Sequence, residues 1–194
     1  MAASKARAVE AEKLYTISDF EKMPEFSENY ELIDGRIAEK AMPGDRHGRI
    51  ARLIEKQIIL LDPQDKLGMT WRDTTIKIAG DEGNGRTPDM AYVNASRVPP
   101  ISDGSLAVVP DLVVEVWSPS DNESKSALES TWKKREYWRE HGVKITWCIN
   151  PKAKEVEVLY TDPNKADVVL ELGDTLDGED VIPGFKMPVA ALFE

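Results

Sequence analysis

Leu112-Val113-Val114-Glu115-Val116-Trp117, set between Pro110-Asp111 and Ser118-Pro119-Ser120, is the stretch on which the fold reading turns. A short, nearly continuous apolar run bounded by turn formers predicts a strand buried on both faces. Such a strand needs a layer packed on each side of its sheet. The residues that follow supply one: Ser124 to His141 is helical in pattern, with Gly142 as its stop. Val143 to Ile149 and Glu155 to Tyr160 read as strands joined across Asn150-Pro151, and Val168 to Leu172 as another. Val181-Ile182-Pro183-Gly184-Phe185 and Leu192-Phe193 read as a docked tail.

On the N-terminal side, Thr16-Ile17-Ser18-Asp19 predicts a capped short helix through about Met23, stopped by Pro24. Tyr30 to Ile33 and Arg36 to Glu39, around Asp34-Gly35, predict a hairpin with a type I′ turn. Ile50, Leu53, Ile54, Ile58 and Leu61 recur at helical spacing. Asp45 is the expected N-cap of that helix and Asp62-Pro63 its end. Thr70 to Ala79 alternates and predicts a strand; Asp89 to Val93 predicts a second, short one. Gly80 to Gly85 and Arg97 to Pro110 are loops. The expected organisation is a frayed lead-in over 1–14 and one domain over 15–194, of α/β (α+β) class, with helices packed on a mixed sheet.

In 194 residues, 41% hydrophobic and 31% charged, there is material for one packed core. The 25 Lys+Arg against 35 Asp+Glu leave −10. A chain this acidic does not hold nucleic acid by bulk electrostatics, so a polyanion must meet a local basic patch or a bound cation. No apolar run approaches the ~20 residues that span a bilayer, so no membrane role is expected. The single cysteine, Cys148, and the lack of a visible secretory signal suggest the cytoplasm.

Glu115 is the most informative residue. A carboxylate inside a buried strand is costly unless paired or bound to metal. By strand parity it shares a face with Val113, Trp117 and Asp111. A wet strand face or a structural ion pair explains it as readily as a site does. Asp89 follows Pro88 and opens a strand; alone it reads as a turn residue. If the two strands are neighbours, Asp89 and Glu115 make a hard-oxygen pair suited to Mg2+ or Mn2+. Glu31 on the hairpin reads as an exposed strand charge and His47 as a helix-terminal capping residue. Lys133-Lys134-Arg135 reads as a solvated helix face, with Lys134 on the side of Thr131 and Trp138. One Cys and two His exclude a zinc pattern, and neither a P-loop nor a Gly-x-Ser-x-Gly elbow is present. The five tryptophans read as core and interface anchors.

Taken in order, these residues resemble a known pattern: Tyr30 to Gly35, His47 before a helix, Pro88-Asp89, Pro110 to Val116 with Ser118-Pro119-Ser120, Lys134 to Tyr137, Gly142-Val143 and Trp147 to Pro151. The chain resembles the Uma family, described as putative restriction endonucleases, within the PD-(D/E)xK nuclease superfamily. The likeness runs from about Tyr15 to Phe193 and is most specific over Pro110 to Ser120. It implies a restriction-endonuclease-like mixed sheet flanked by helices, and Mg2+ as cofactor with Mn2+ as a possible substitute. It implies Asp89, Glu115 and the Val116 carbonyl as metal ligands, and Glu31 as a further catalytic acid. His47 matches a recurrent family histidine, and Asp111 is a possible accessory residue. The superfamily lysine usually lies two residues after the second acid, where this chain has Trp117. The Uma-like pattern places it on the following helix, at Lys134, with Lys133 and Lys125 as lesser substitutes. The implied activity is Mg2+-dependent DNA endonuclease, and cutting two strands suggests a homodimer. The alternatives are a nuclease-like module that no longer cuts, or a hydrolase of another phosphate ester.

Overall fold

The computed structural model describes residues 13–23, 30–40, 44–118 and 125–194. Most of the proposed lead-in, the Pro24 stop, Pro119-Ser120 and the Ser124 helix start lie outside the described residues. Six strands form the central sheet in the order β3 (Gly68–Arg72), β4 (Met90–Asn94), β5 (Leu112–Val116), β6 (Ile145–Asn150), β7 (Glu155–Tyr160) and β8 (Val168–Leu170). Only β5 and β6 run parallel; every other neighbouring pair is antiparallel. The parallel pair requires a crossover, and α3 (Lys125–Glu140) lies in that connection. All five residues of β5 are buried, as its apolar run requires.

Strand parity assigns the two faces. Leu112, Val114 and Val116 of β5, with Met90, Tyr92, Trp147 and Ile149, pack against Ile50, Ile54 and Ile58 of α2 (Asp45–Leu61). Val113, with Ala91 and Val93, packs against Tyr137 and Trp138 of α3. Glu115 therefore sits on the α3 face. A smaller cluster joins Ile17 and Phe20 of α1 (Ile17–Phe20) to Leu32 of the hairpin β1 (Tyr30–Ile33) and β2 (Arg36–Glu39). Thr16 caps α1 in a reciprocal box with Asp19. Asp34 and Gly35 have φ of 50° and 75°, the positive values that the hairpin turn demands.

Four expectations are corrected. The N-cap of α2 is Gly44, with Asp45 as the first helical residue. α1 ends at Phe20, short of Met23. The strand expected over Thr70 to Ala79 stops at Arg72, because Asp73 turns to a φ of 49°. Beyond it Ile76 makes only isolated bridges, to Arg86 and Leu106. The tail contains a second hairpin, β9 (Thr175–Asp177) with β10 (Lys186–Pro188), and its Leu176, Ile182, Phe185 and Val189 join the α2-side core.

Candidate active site

The site gathers where β4, β5, the β1–β2 hairpin and both long helices meet. Asp89 stands at the entrance to β4. Its Oδ2 accepts the Val116 N–H at 2.6 Å, and its Oδ1 lies 2.6 Å from Nε2 of His47 on the first turn of α2. Glu115, 7% exposed, is fixed at both oxygens. Oε1 accepts the Trp138 indole N–H at 2.7 Å, and Oε2 meets Nζ of Lys134 at 3.0 Å. Lys134 and Trp138 lie four residues apart on α3 and so present to one face. Lys134 also donates to the Thr87 carbonyl at 3.3 Å and lies 3.6 Å from Oε1 of Glu31.

Glu31 is 6% exposed, not the solvated strand charge that its neighbours suggest. Its Oε1 accepts the Thr87 N–H at 3.1 Å. The hairpin is clamped to the loop carrying Thr87 by a bridge between Leu32 and Gly85. The approach at that bridge is close: a Cβ on Gly85 would stand 2.3 Å from Cδ1 of Ile17, which would have to turn aside.

Three carboxylates thus surround one lysine and one histidine. Burial pushes Glu115 up to about 7, with the Asp89 charge adding to the rise and Lys134 opposing it. Lys134 moves up as well: burial favours its neutral form, but Glu115, Glu31 and Asp89 together outweigh that. His47 is held above its ordinary value. Burial lowers it, while the hydrogen bond and charge of Asp89, and then Glu115, raise it more. Its Nδ1 is buried without a hydrogen-bond partner among the described residues.

Among the described residues, no three His, Cys, Asp or Glu side chains form a ready metal cage. Mg2+ does not need one, because it keeps several waters and takes one or two carboxylates. The donor chemistry fits such an ion, since Asp89 reaches Val116, the residue next to Glu115, and so brings two hard carboxylates to one place. The Val116 N–H points at Asp89, and in a strand the carbonyl of the same residue leaves by the same edge.

Asp111 does not join the site. It lies four residues before Glu115, just ahead of β5 and roughly 13 Å away at strand rise. There it is buried and held by Arg97 at 2.7 Å, Lys144 at 2.8 Å and the Asn94 N–H at 2.9 Å. Lys133 and Lys125 are exposed. Two residues of the site escape sequence reasoning. Trp138 reads as core, although its spacing from Lys134 places it correctly. Thr87 contributes only its backbone and leaves no side-chain signal.

Two acids on or just before adjacent strands, with a lysine brought over them by the crossover helix, sit on a mixed sheet of restriction-endonuclease-like build. The chain belongs to the Uma2 family, described as "Putative restriction endonuclease", whose model matches residues 17–190. It is also similar in fold to the crystal structure of a putative nuclease belonging to DUF820 from Anabaena variabilis. That likeness has a TM-score of 0.75 at 23% identity, over 92% of this chain and 97% of the other. No curated protein matches the chain.

Proposed function

We propose that this protein is a Mg2+-dependent endonuclease that hydrolyses DNA phosphodiester bonds, with Mn2+ as a substitute metal. The observation that carries the reading is the convergence of Asp89, Glu115 and Glu31 on Lys134 and His47. Asp89, Glu115 and the Val116 carbonyl would hold the cation. When bound, it supplies Lewis acidity at a phosphate oxygen and lowers the pKa of a coordinated water.

The chain's own groups do the rest. Val116 N–H and His47 fix both oxygens of Asp89, so its carboxylate is oriented before substrate arrives. Trp138 does the same for Glu115. Lys134, charged because anions surround it, donates to the phosphoryl oxygens as negative charge builds there. Glu31, oriented by the Thr87 N–H, accepts a hydrogen bond from the attacking water.

Plasmid cleavage with Mg2+ tests the reading. Asp89→Ala and Lys134→Ala are expected to slow cutting by at least about 100-fold while retaining a cooperative melt. Calorimetry should show Mg2+ or Mn2+ binding that Asp89→Ala and Glu115→Ala both lose. Neither cleavage nor metal binding by the wild type at millimolar metal would leave a non-cutting module. Turnover of a small phosphodiester, with DNA untouched, would mean a different phosphate ester.

A further inference from the structure

We propose that the solvent face of α2 is a phosphate track that lays a nucleic-acid strand across the molecule and into the site. This rests on the nuclease reading and names how so acidic a chain grips its substrate. Arg46, Arg49, Arg52 and Lys56 are all exposed. At 100° per residue they fall within an arc of about 120°, with Arg49, Arg52 and Lys56 opposite the stripe of Ile50, Ile54 and Ile58 that packs on the sheet and Arg46 toward its edge. Among the described residues none of the four makes an ion pair.

Several cations elsewhere are tied to acids: Arg97 and Lys144 to Asp111, Arg135 to Glu157, Arg139 to Asp167 and Lys165 to Glu179. A row of unneutralised cations in a chain of net charge −10 is the local basic patch that a polyanion needs. Asp45 is the one acid on that face, and Glu55, on its flank, is engaged by Thr70 and Arg72.

The dimensions match. From Arg46 to Lys56 is about 15 Å along the helix axis. One strand of B-DNA passes roughly four phosphates in that length. The track also leads to the right place. Arg46 adjoins His47, whose ring turns inward to Asp89 from the same helical turn. A strand held by its phosphates along α2 therefore runs toward Asp89, the acid that His47 touches at the helix N-terminus. These contacts position the backbone without reading bases, so binding should be indifferent to sequence.

Anisotropy of a labelled duplex of about 20 base pairs, titrated in EDTA across about 50 to 200 mM NaCl, tests this. The R49Q/R52Q/K56Q variant leaves every site residue in place. It is expected to bind at least 10-fold more weakly at low salt, with a log–log salt slope shallower by about 3. R49K/R52K should bind like the wild type, and all three proteins should melt alike, because these side chains are exposed. Equal affinity and slope in R49Q/R52Q/K56Q would overturn the track. So would a wild type that does not bind the duplex, or one that prefers vesicles of anionic phospholipid. Cleavage separates the two readings. If R49Q/R52Q/K56Q binds and cuts like the wild type, the track fails and the nuclease stands. If its binding collapses but wild type never cuts, the track stands and the nuclease fails.

Discussion

Glu115 costs the fold something at neutral pH, and the sign of that cost can be worked out. Its ordinary value is 4.5 and its folded value about 7. Below 4.5 the group is protonated folded or unfolded and contributes no difference. Between 4.5 and 7 the unfolded chain releases a proton that the folded chain keeps, so stability falls as pH rises. Above 7 the loss is complete, on the order of 3 kcal/mol. The variant Glu115→Gln has no proton to lose at this position. Its melting temperature relative to wild type should therefore climb between about pH 5 and pH 8 in EDTA, and its cleavage with Mg2+ should be lost. Lys134 stays charged throughout that range, so the charge left facing the neutral amide cancels in the comparison. A gap that does not move with pH would show that Lys134 fully compensates the carboxylate. The sequence exposed Glu115 as anomalous because burial and charge conflict within one short run. Glu31 was different. Nothing in its own hairpin shows that Thr87, more than fifty residues away, will cover it, and only the family likeness marked it.

α3 is anchored on one side by charge and on the other by the site it serves. Arg135 is buried, pairs with Glu157 of β7 and stacks over the Trp132 ring at 4.1 Å. Lys134, one residue earlier, turns toward β5. The helix thus straddles β5 and β7, above the small Thr146 and Cys148 of β6. Arg135→Ala should lower stability by about 2 kcal/mol, because it strips a partner from a half-buried Glu157 and removes packing. Cleavage should fall with it, although Arg135 touches no site residue, because α3 sets where Lys134 stands. Urea unfolding and plasmid cleavage of the one variant check both effects; a destabilised but fully active protein would show that Lys134 is placed independently of this anchor. The helix itself was legible from its spacing and its Gly142 stop. The burial of Arg135 was not, since Lys133-Lys134-Arg135 reads as a solvated triplet until β7 supplies Glu157. Strand β3 failed for a local reason: alternation continues past Arg72, but the backbone at Asp73 does not.

At the level of the whole molecule, the C-terminal segment closes the core that α2 alone leaves open. Leu176, Val181, Ile182, Phe185, Met187, Val189 and Leu192 all pack into the α2-side cluster. The Phe185 ring lies 5.3 Å from that of Trp147 on β6. β9 and β10 are three residues each, too short for alternation to announce them, so the sequence showed a docked tail but not its hairpin. All the proposed site residues lie before this segment, yet the sheet that carries Glu115 is buried beneath it. Phe185→Ala removes a fully buried ring, at a cost of about 3–4 kcal/mol. For a chain of this length that lowers the melting point by roughly 10 °C. A chain ending at Leu172 would keep every acid and lysine of the site but lose one wall of the core. It should show no cooperative melt by calorimetry and no cleavage. A truncated chain that melts cooperatively would mean that α2 and the six strands form a complete core, with the tail as an accessory layer.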